Sequence, residues 1–306
     1  MKKIFIIHEN DDWVKPLEIE LRKKNAPFEK WHMDKISLDL SSIPPLGIFY
    51  NRMSASSHTR GHRYAPEYTA TVLNWLEFHN RRVINNSQAL HIELSKSLQY
   101  KELQKEKIKV PKTAFAQGTS QLLELGRSFP LPFLTKHNRA GKGLGIKLFK
   151  KRNGFEEYIN SSDFNESIDG ITLLQEYIKP RTDTIIRTEF VNSKFLYAVQ
   201  VDTSKGFELC PADECNLEEE YCPTNTTGNK FMILPTFKNP ILQKYQKVLK
   251  NNNIEIAGIE FVQDKNKELY TYDINTNTNY NSIAESFSNL KGMKSIANFL
   301  LKELQR

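Results

Sequence analysis

No apolar run in the 306-residue sequence approaches the roughly 20 residues that a membrane-spanning helix needs. The chain opens Met1-Lys2-Lys3 and passes straight into a short apolar run that stops at His8, so a secretory leader is not expected. Cysteine is scarce: Cys210, Cys215 and Cys222 have no C-x-x-C pair and no neighbouring histidine. That argues against zinc and for free thiols in a reducing compartment, so a cytoplasmic location is expected. Internal repeats are absent, as are low-complexity tracts beyond the asparagine-rich Asn275 to Asn281, a G-x-x-x-x-G-K-[ST] loop and a G-x-G-x-x-G fingerprint. A basic arm is missing too. Lysine and arginine total 43 against 36 acids, but the densest clusters, Lys101 to Lys109 and Lys147 to Arg152, are short and interleaved with acidic or apolar residues. The balance of +7 favours phosphates or carboxylates as partners, and neither nucleic-acid nor membrane binding is expected.

Hydrophobic residues make up 39% of the chain, enough to form a core, and at this length two compact units or one domain with a lobed extension are expected. Lys2 to His8 reads as a strand buried on both faces. A helix with Val14, Leu17 and Leu21 on one side and Pro16 in its first turn follows, and strands are expected at Phe28 to Met33 and Leu46 to Tyr50. With the periodic segment Tyr68 to His79 and a closing Val83-Ile84, residues 1–85 form an α/β domain. A single long helix is predicted from Ser87 to Glu106. Beyond Pro111, short strands (Lys112 to Ala116, Leu131 to Lys136, Gly145 to Phe149, Ile171 to Tyr177) and two short helices predict a small α+β lobe, so 86–178 is the second unit. The third, 179–306, starts with a hairpin turned at Asn192-Ser193 and continues through a helix at Ile241 to Asn251, strands Ala257 to Val262 and Leu269 to Asn275, and a last helix from Met293.

Alternation along the last two strands puts Glu260, Asp273 and Asn275 on one face. Three oxygen donors together suit magnesium, which keeps its remaining positions for water and phosphate; an exposed polar hairpin face has the same pattern. Lys136 ends an apolar strand, and Gly141-Lys142-Gly143-Leu144-Gly145 follows. A lysine beside a mobile glycine loop can hold phosphates, and a plain β-turn is the alternative. Arg52, Arg60 and Arg63 follow a predicted strand end, where open α/β sheets bind ligands, and can receive a substrate carboxylate. The acidic stretch Cys210 to Tyr221, with Asp202 and Thr203 upstream, is a candidate for selecting an amine.

Taken in order, Lys96, Lys136, the glycine loop, Leu173 to Ile178, Arg187 and Glu260 with Asp273-x-Asn275 resemble the ATP-grasp ligases, most closely the RimK-type branch. The likeness covers roughly residues 83–303 and includes Asn85-Asn86-Ser87 and Val110 to Thr113. It implies a mixed α/β and α+β ATP-grasp fold behind an N-terminal Rossmann-like domain. The activity implied is ATP-dependent, ADP-forming joining of a carboxylate to an amine on an amino acid, a peptide or a protein tail. ATP and magnesium, with manganese as its substitute, are the implied cofactors. In this likeness Lys96 (or Lys101) and Lys136 contact phosphates, and Lys142 and Gly143 cover them. Gln175, Glu176, Tyr177 and Ile178 form the adenine hinge, Asp183 meets the ribose, Arg187 steadies the γ-phosphate or acyl phosphate, and Glu260, Asp273 and Asn275 hold the metal. Thr276 to Asn281 replaces the usual proline-glycine bordering the acceptor, which makes Asn277 a substrate candidate and leaves acceptor identity open. A nucleotide-binding regulator without turnover is the alternative, and homo-oligomerisation stays open.

Overall fold

The computed structural model describes residues 2–141, 143–204 and 230–306. Three sheets organise these residues. The first is wholly parallel, in the order β2 (Phe28–His32), β1 (Lys3–His8), β3 (Gly47–Asn51), β4 (Arg82–Ile84). Both faces are covered, which is why β1 reads as an unbroken apolar run. Ile4 and Ile6 pack towards α1 (Asp11–Lys23) and the last helix, whereas Phe5 and Ile7 pack towards α2 (Ala65–Phe78). Each such buried side chain stabilises the fold by about 1.5–3 kcal/mol.

Pro16 lies in the second turn of α1, one turn further in than its sequence context suggests. Asn10 explains the shift: its side chain caps the amides of Asp12 and Trp13, so the helix starts at Asp11.

The stretch 87–106 is two helices, α3 (Ser87–Glu93) and α4 (Lys96–Lys105), instead of the one predicted. Ser95 takes an extended backbone and caps α4. Gln99 fixes the new direction, bonding the carbonyls of Ile92 and Ile274 through Nε2 and receiving the Ile274 amide at Oε1. The apolar periodicity continues across the break, so it could not report it.

The second sheet is antiparallel, in the order β5 (Thr113–Gln117), β8 (Ile171–Glu176), β6 (Phe133–His137), β7 (Lys147–Phe149). Helices α5 (Gly118–Ser128) and α6 (Arg152–Ile159) cover it through a cluster containing Phe129, Phe133, Phe149 and Phe155. The third sheet runs β11 (Phe231–Leu234), β10 (Lys194–Asp202), β9 (Thr184–Val191), β12 (Ile256–Gln263), β13 (Leu269–Asn275), also antiparallel. Helix α7 (Ile241–Asn251) backs it. Strand β11 and the short α8 (Ser282–Ser286) have no counterpart in the sequence reading.

Helix α9 (Gly292–Leu304) ends the chain yet packs against the first sheet, its Ile296 and Leu300 sharing a core with Ile4, Ile6 and Tyr50. The first sheet is therefore completed by the last helix, and the segment 1–85 does not build its core alone.

Candidate active site

Strands β12 and β13 create the site through their register. Glu260 lies directly opposite Asp273, and Gly258 opposite Asn275, so these side chains share one face. An irregularity after Glu260 pairs Phe261 with Thr271, which leaves Tyr272 as the extra residue in a bulge. Strand β9 adds Arg187 opposite Glu260 on the other side. The second sheet contributes Lys136 from β6, and the break before α4 brings Lys96 to the same cleft. Loop residues Ala140, Gly141, Gly143 and Leu144 line it from above, and Ser54, Ser56 and Trp13 reach it from the first domain.

The charges are paired closely. Lys96 Nζ lies 2.6 Å from Asp273 Oδ1. Arg187 donates from Nη1 to Glu260 Oε1 at 2.9 Å, from Nε to Glu189 Oε1 at 2.5 Å and from Nη2 to the Thr278 hydroxyl at 2.8 Å. That hydroxyl donates in turn to Glu189 Oε2 at 2.8 Å, closing a ring. Gly258 leaves the room for this: a Cβ there would sit 2.4 Å from Arg187 Nη2.

Burial raises the Glu260 carboxyl above its ordinary range, with Arg187 opposing the rise and the charge of Asp273 reinforcing it. Burial acts on Asp273 in the same direction, but Lys96 and Lys136 outweigh it and hold that carboxyl low. Lys136 is lowered by burial, against the pull of Asp273 and Glu260. Burial lowers Arg187 too, but Glu189 and Glu260 outweigh it and leave the guanidinium firmly charged. The cleft therefore brings three cations, Lys96, Lys136 and Arg187, against Glu260 and Asp273 in a low-dielectric space, with Glu93 also lining it and Glu189 holding Arg187 from behind.

Of the residues singled out in the sequence, Lys96, Lys136, Gly143, Arg187, Glu260, Asp273, Asn275 and Asn277 line this one cleft. Lys101 does not line it, and Lys142 and Cys210 to Tyr221 lie outside the described residues. Gln175, Glu176, Tyr177, Ile178 and Asp183 do not line it either. Gln175 Nε2 is used by Tyr100 and Thr113, and the Tyr177 amide donates to the Pro132 carbonyl. Asp183 sits in a turn with a left-handed backbone, its carbonyl bonded by Thr203.

The three arginines expected to receive substrate are each engaged by protein groups. Arg52 is buried and commits four of its five N–H donors to the Trp13 carbonyl, Asn277, the Thr278 carbonyl and Asn279. Arg60 is held by Glu9 and stacks over Trp13, and Arg63 pairs with Glu67.

Residues not anticipated from the sequence include Glu93, whose Oε2 accepts the Thr276 amide at 2.6 Å, and Glu189. Both are isolated acids on apolar elements. The partner of Glu93 is remote in the chain, whereas Glu189 stands two residues after Arg187 on β9, an i, i+2 spacing that places both on one face and could have signalled the pair.

Residues 94–208 match the RimK-like ATP-grasp domain family. No curated protein matches the chain in sequence. Among solved structures, the RimK domain ATP-grasp protein of Sphaerobacter thermophilus is similar over 97% of this chain and 99% of its own, with 12% identity and a TM-score of 0.66. A RiPP-associated ATP-grasp ligase of Chryseobacterium gregarium, solved with ADP and a leader and core peptide, is 14% identical over 99% of this chain and 97% of its own, with a TM-score of 0.65. The D-Ala:D-Ser ligase VanG of Enterococcus faecalis is 13% identical over 99% of both chains, with a TM-score of 0.66. With its two antiparallel sheets closing on one charged cleft, the chain has the ATP-grasp fold and carries a RimK-like ATP-grasp domain.

Proposed function

We propose that the protein is an ATP-dependent, ADP-forming carbon–nitrogen ligase that joins a carboxylate to an amine through an acyl phosphate, with an amino acid or a peptide as substrate. One observation carries the reading: Lys96, Lys136 and Arg187 converge with Glu260, Asp273 and Asn275 on a single cleft between two sheets. Three cations converging on one cleft match what phosphoryl transfer needs, because charge accumulates on phosphate oxygens and little covalent work falls to the protein. The similar ligases support ATP use, and the one solved with ADP and peptides supports a peptide as substrate.

The donor set fits magnesium. Glu260 and Asp273 face each other directly across the strand pair, and Asn275 adds a neutral oxygen. Among the described residues no cluster of three His, Cys, Asp or Glu could hold a metal without help. Magnesium needs only one or two carboxylates when phosphate oxygens complete its shell. When bound, it would neutralise charge on the transferred phosphoryl group.

In this reading Lys96 and Lys136 hold the phosphates. Lys96 and Arg187 exchange their present carboxylate partners for phosphate oxygens. The substrate carboxylate attacks the γ-phosphorus, ADP leaves, and Arg187 steadies the acyl phosphate. The amine then attacks the acyl carbon, giving the amide and phosphate. Residues 140–144 other than Lys142 cover the cleft and exclude water from the acyl phosphate. The space within the cleft, about 110 Å³, is smaller than the roughly 300–1,000 Å³ of ordinary ligand sites. ATP entry therefore needs the glycine loop to move off the β12–β13 face, which exposes the path from Lys136 towards the hinge at Gln175 to Ile178.

The test is a screen of amino acids and short peptides for substrate-dependent ADP release with Mg-ATP. With a confirmed pair, Asp273→Ala is expected to lower turnover by about a hundredfold or more. Wild-type ADP release from Asp273→Ala would sink the metal-site reading.

A further inference from the structure

The three cations of the cleft are held in different ways. Lys96 and Arg187 sit on carboxylates. Lys136 is only 6% exposed, yet among the described residues it forms no salt bridge. A buried ammonium needs some other electron-rich partner. Tyr272 supplies two: Lys136 Nζ lies 5.1 Å from the centre of the Tyr272 ring and 3.5 Å from the Tyr272 carbonyl oxygen.

The bulge in β13 brings Tyr272 there. Thr271 faces α7, where its hydroxyl meets that of Tyr245, and Ile274 packs in the same cluster as Tyr245. Strict alternation puts residues an even number apart on one face, whereas these two are three apart. The extra residue leaves Tyr272 and Asp273, neighbours in the chain, both lining the cleft. Tyr100 on α4 fixes the bulge: its hydroxyl donates to the Tyr272 carbonyl at 3.1 Å and accepts from Gln175 Nε2 at 2.6 Å. Gln175 lies on β8, which pairs with the strand that carries Lys136. The Tyr272 hydroxyl reaches the Glu260 carboxylate.

We propose that Tyr272 is a positioning residue for phosphoryl transfer, its ring and carbonyl holding the Lys136 ammonium of the second sheet beside Glu260 and Asp273 of the third. The proposal rests on the ligase reading and adds a residue to it. A side chain acting in this way affects phosphate binding through Lys136, whereas one that touched adenine would affect the nucleotide whatever stood at position 136.

Calorimetry on the full chain at saturating magnesium tests this with Mg-ATP and with tripolyphosphate, which has neither adenine nor ribose. Tyr272→Leu, or Tyr272→Met should the leucine variant fail to fold by circular dichroism, is expected to weaken both ligands about three- to tenfold. Tyr272→Phe keeps the ring and the carbonyl and should stay within about twofold of the parent. In a Lys136→Met background the change Tyr272→Leu should cost less than about twofold, because the group it positions is gone. If that background binds too weakly to titrate, the comparison of ATP with tripolyphosphate decides alone. Unchanged affinity in Tyr272→Leu overturns the proposal. Equal losses with and without Lys136 would assign Tyr272 to the fold, a loss confined to ATP would assign it to adenine, and a phenylalanine variant as weak as the leucine one would assign the effect to the hydroxyl; each overturns it too. A parent chain that binds neither ligand defeats the ligase reading and this proposal together, whereas the Tyr272 outcomes defeat this proposal and leave that reading standing.

Discussion

His8 ends β1 with its side chain almost wholly enclosed, and neither ring nitrogen has a hydrogen-bond partner. Burial, reinforced by His32, lowers its pKa from 6.5 to about 4. The unfolded chain therefore takes up a proton that the folded chain refuses, and stability falls as pH drops from the unfolded value towards the folded one. His8→Leu keeps the apolar run and removes the titration. Its urea midpoint should gain on the parent's as pH is lowered, by about 2 kcal/mol between about pH 7.5 and about pH 5. A constant difference across that range would show that His8 is not held neutral. Gly258 permits a second test at this scale. A methyl group there meets the Arg187 guanidinium, so Gly258→Ala should push Arg187 off Glu189 and Glu260 at a stability cost of about 1–3 kcal/mol. Turnover should fall by a larger factor than ATP affinity, measured by calorimetry and ADP release. An equal loss in both would mean that Arg187 serves binding alone.

Asn85 holds elements together at the entrance to α3. Its backbone is left-handed, and its buried side chain bonds the Ile256 and Thr276 carbonyls through Nδ2 and the Glu255 and Ile256 amides through Oδ1. One amide thus ties the first sheet's exit to the open end of the strand pair bearing Glu260, Asp273 and Asn275. Asn85→Ala leaves four backbone groups without their partner and should cost about 3 kcal/mol or more in urea unfolding. A loss below about 1 kcal/mol would mean that water replaces it. The motif Asn85-Asn86-Ser87 was visible in the sequence as part of the family likeness, but what Asn85 bonds is decided by strands about 170 residues away. The break at Ser95 shows the same gap. A Ser after a Leu is compatible with an unbroken helix, and only the fit of Gln99 against β13 selects two helices and turns Lys96 into the cleft.

Across the whole molecule, Arg52 joins the first sheet's end to Asn277, Thr278 and Asn279, the segment that borders the cleft. Arg52→Ala should release this segment. Amide hydrogen exchange at 276–279 is expected to quicken while protection in β12 stays near its present level. With a substrate pair in hand, the acceptor KM should rise more than the KM for ATP. Unchanged exchange would show that Asn85, Glu93, Arg187 and Glu189 hold the segment without Arg52. Helix α9 also acts at this scale, because it carries the end of the chain back onto the sheet that begins it.

Local chemistry was enough to read most strands and helices and the one-face placement of Glu260, Asp273 and Asn275. Apolar periodicity, caps and strand alternation are short-range properties that a sequence carries in the open. It was also enough to nominate Lys96, Lys136 and Arg187, through the likeness that their order bears to a known family. Tertiary structure alone decided that Lys96 meets Asp273, that Arg187 meets Glu260 and Thr278, and that Arg52 bonds the 277–279 segment. These depend on long-range contacts that bury charge. A buried guanidinium takes whatever acceptors the closed fold presents to it, and no local spacing specifies them.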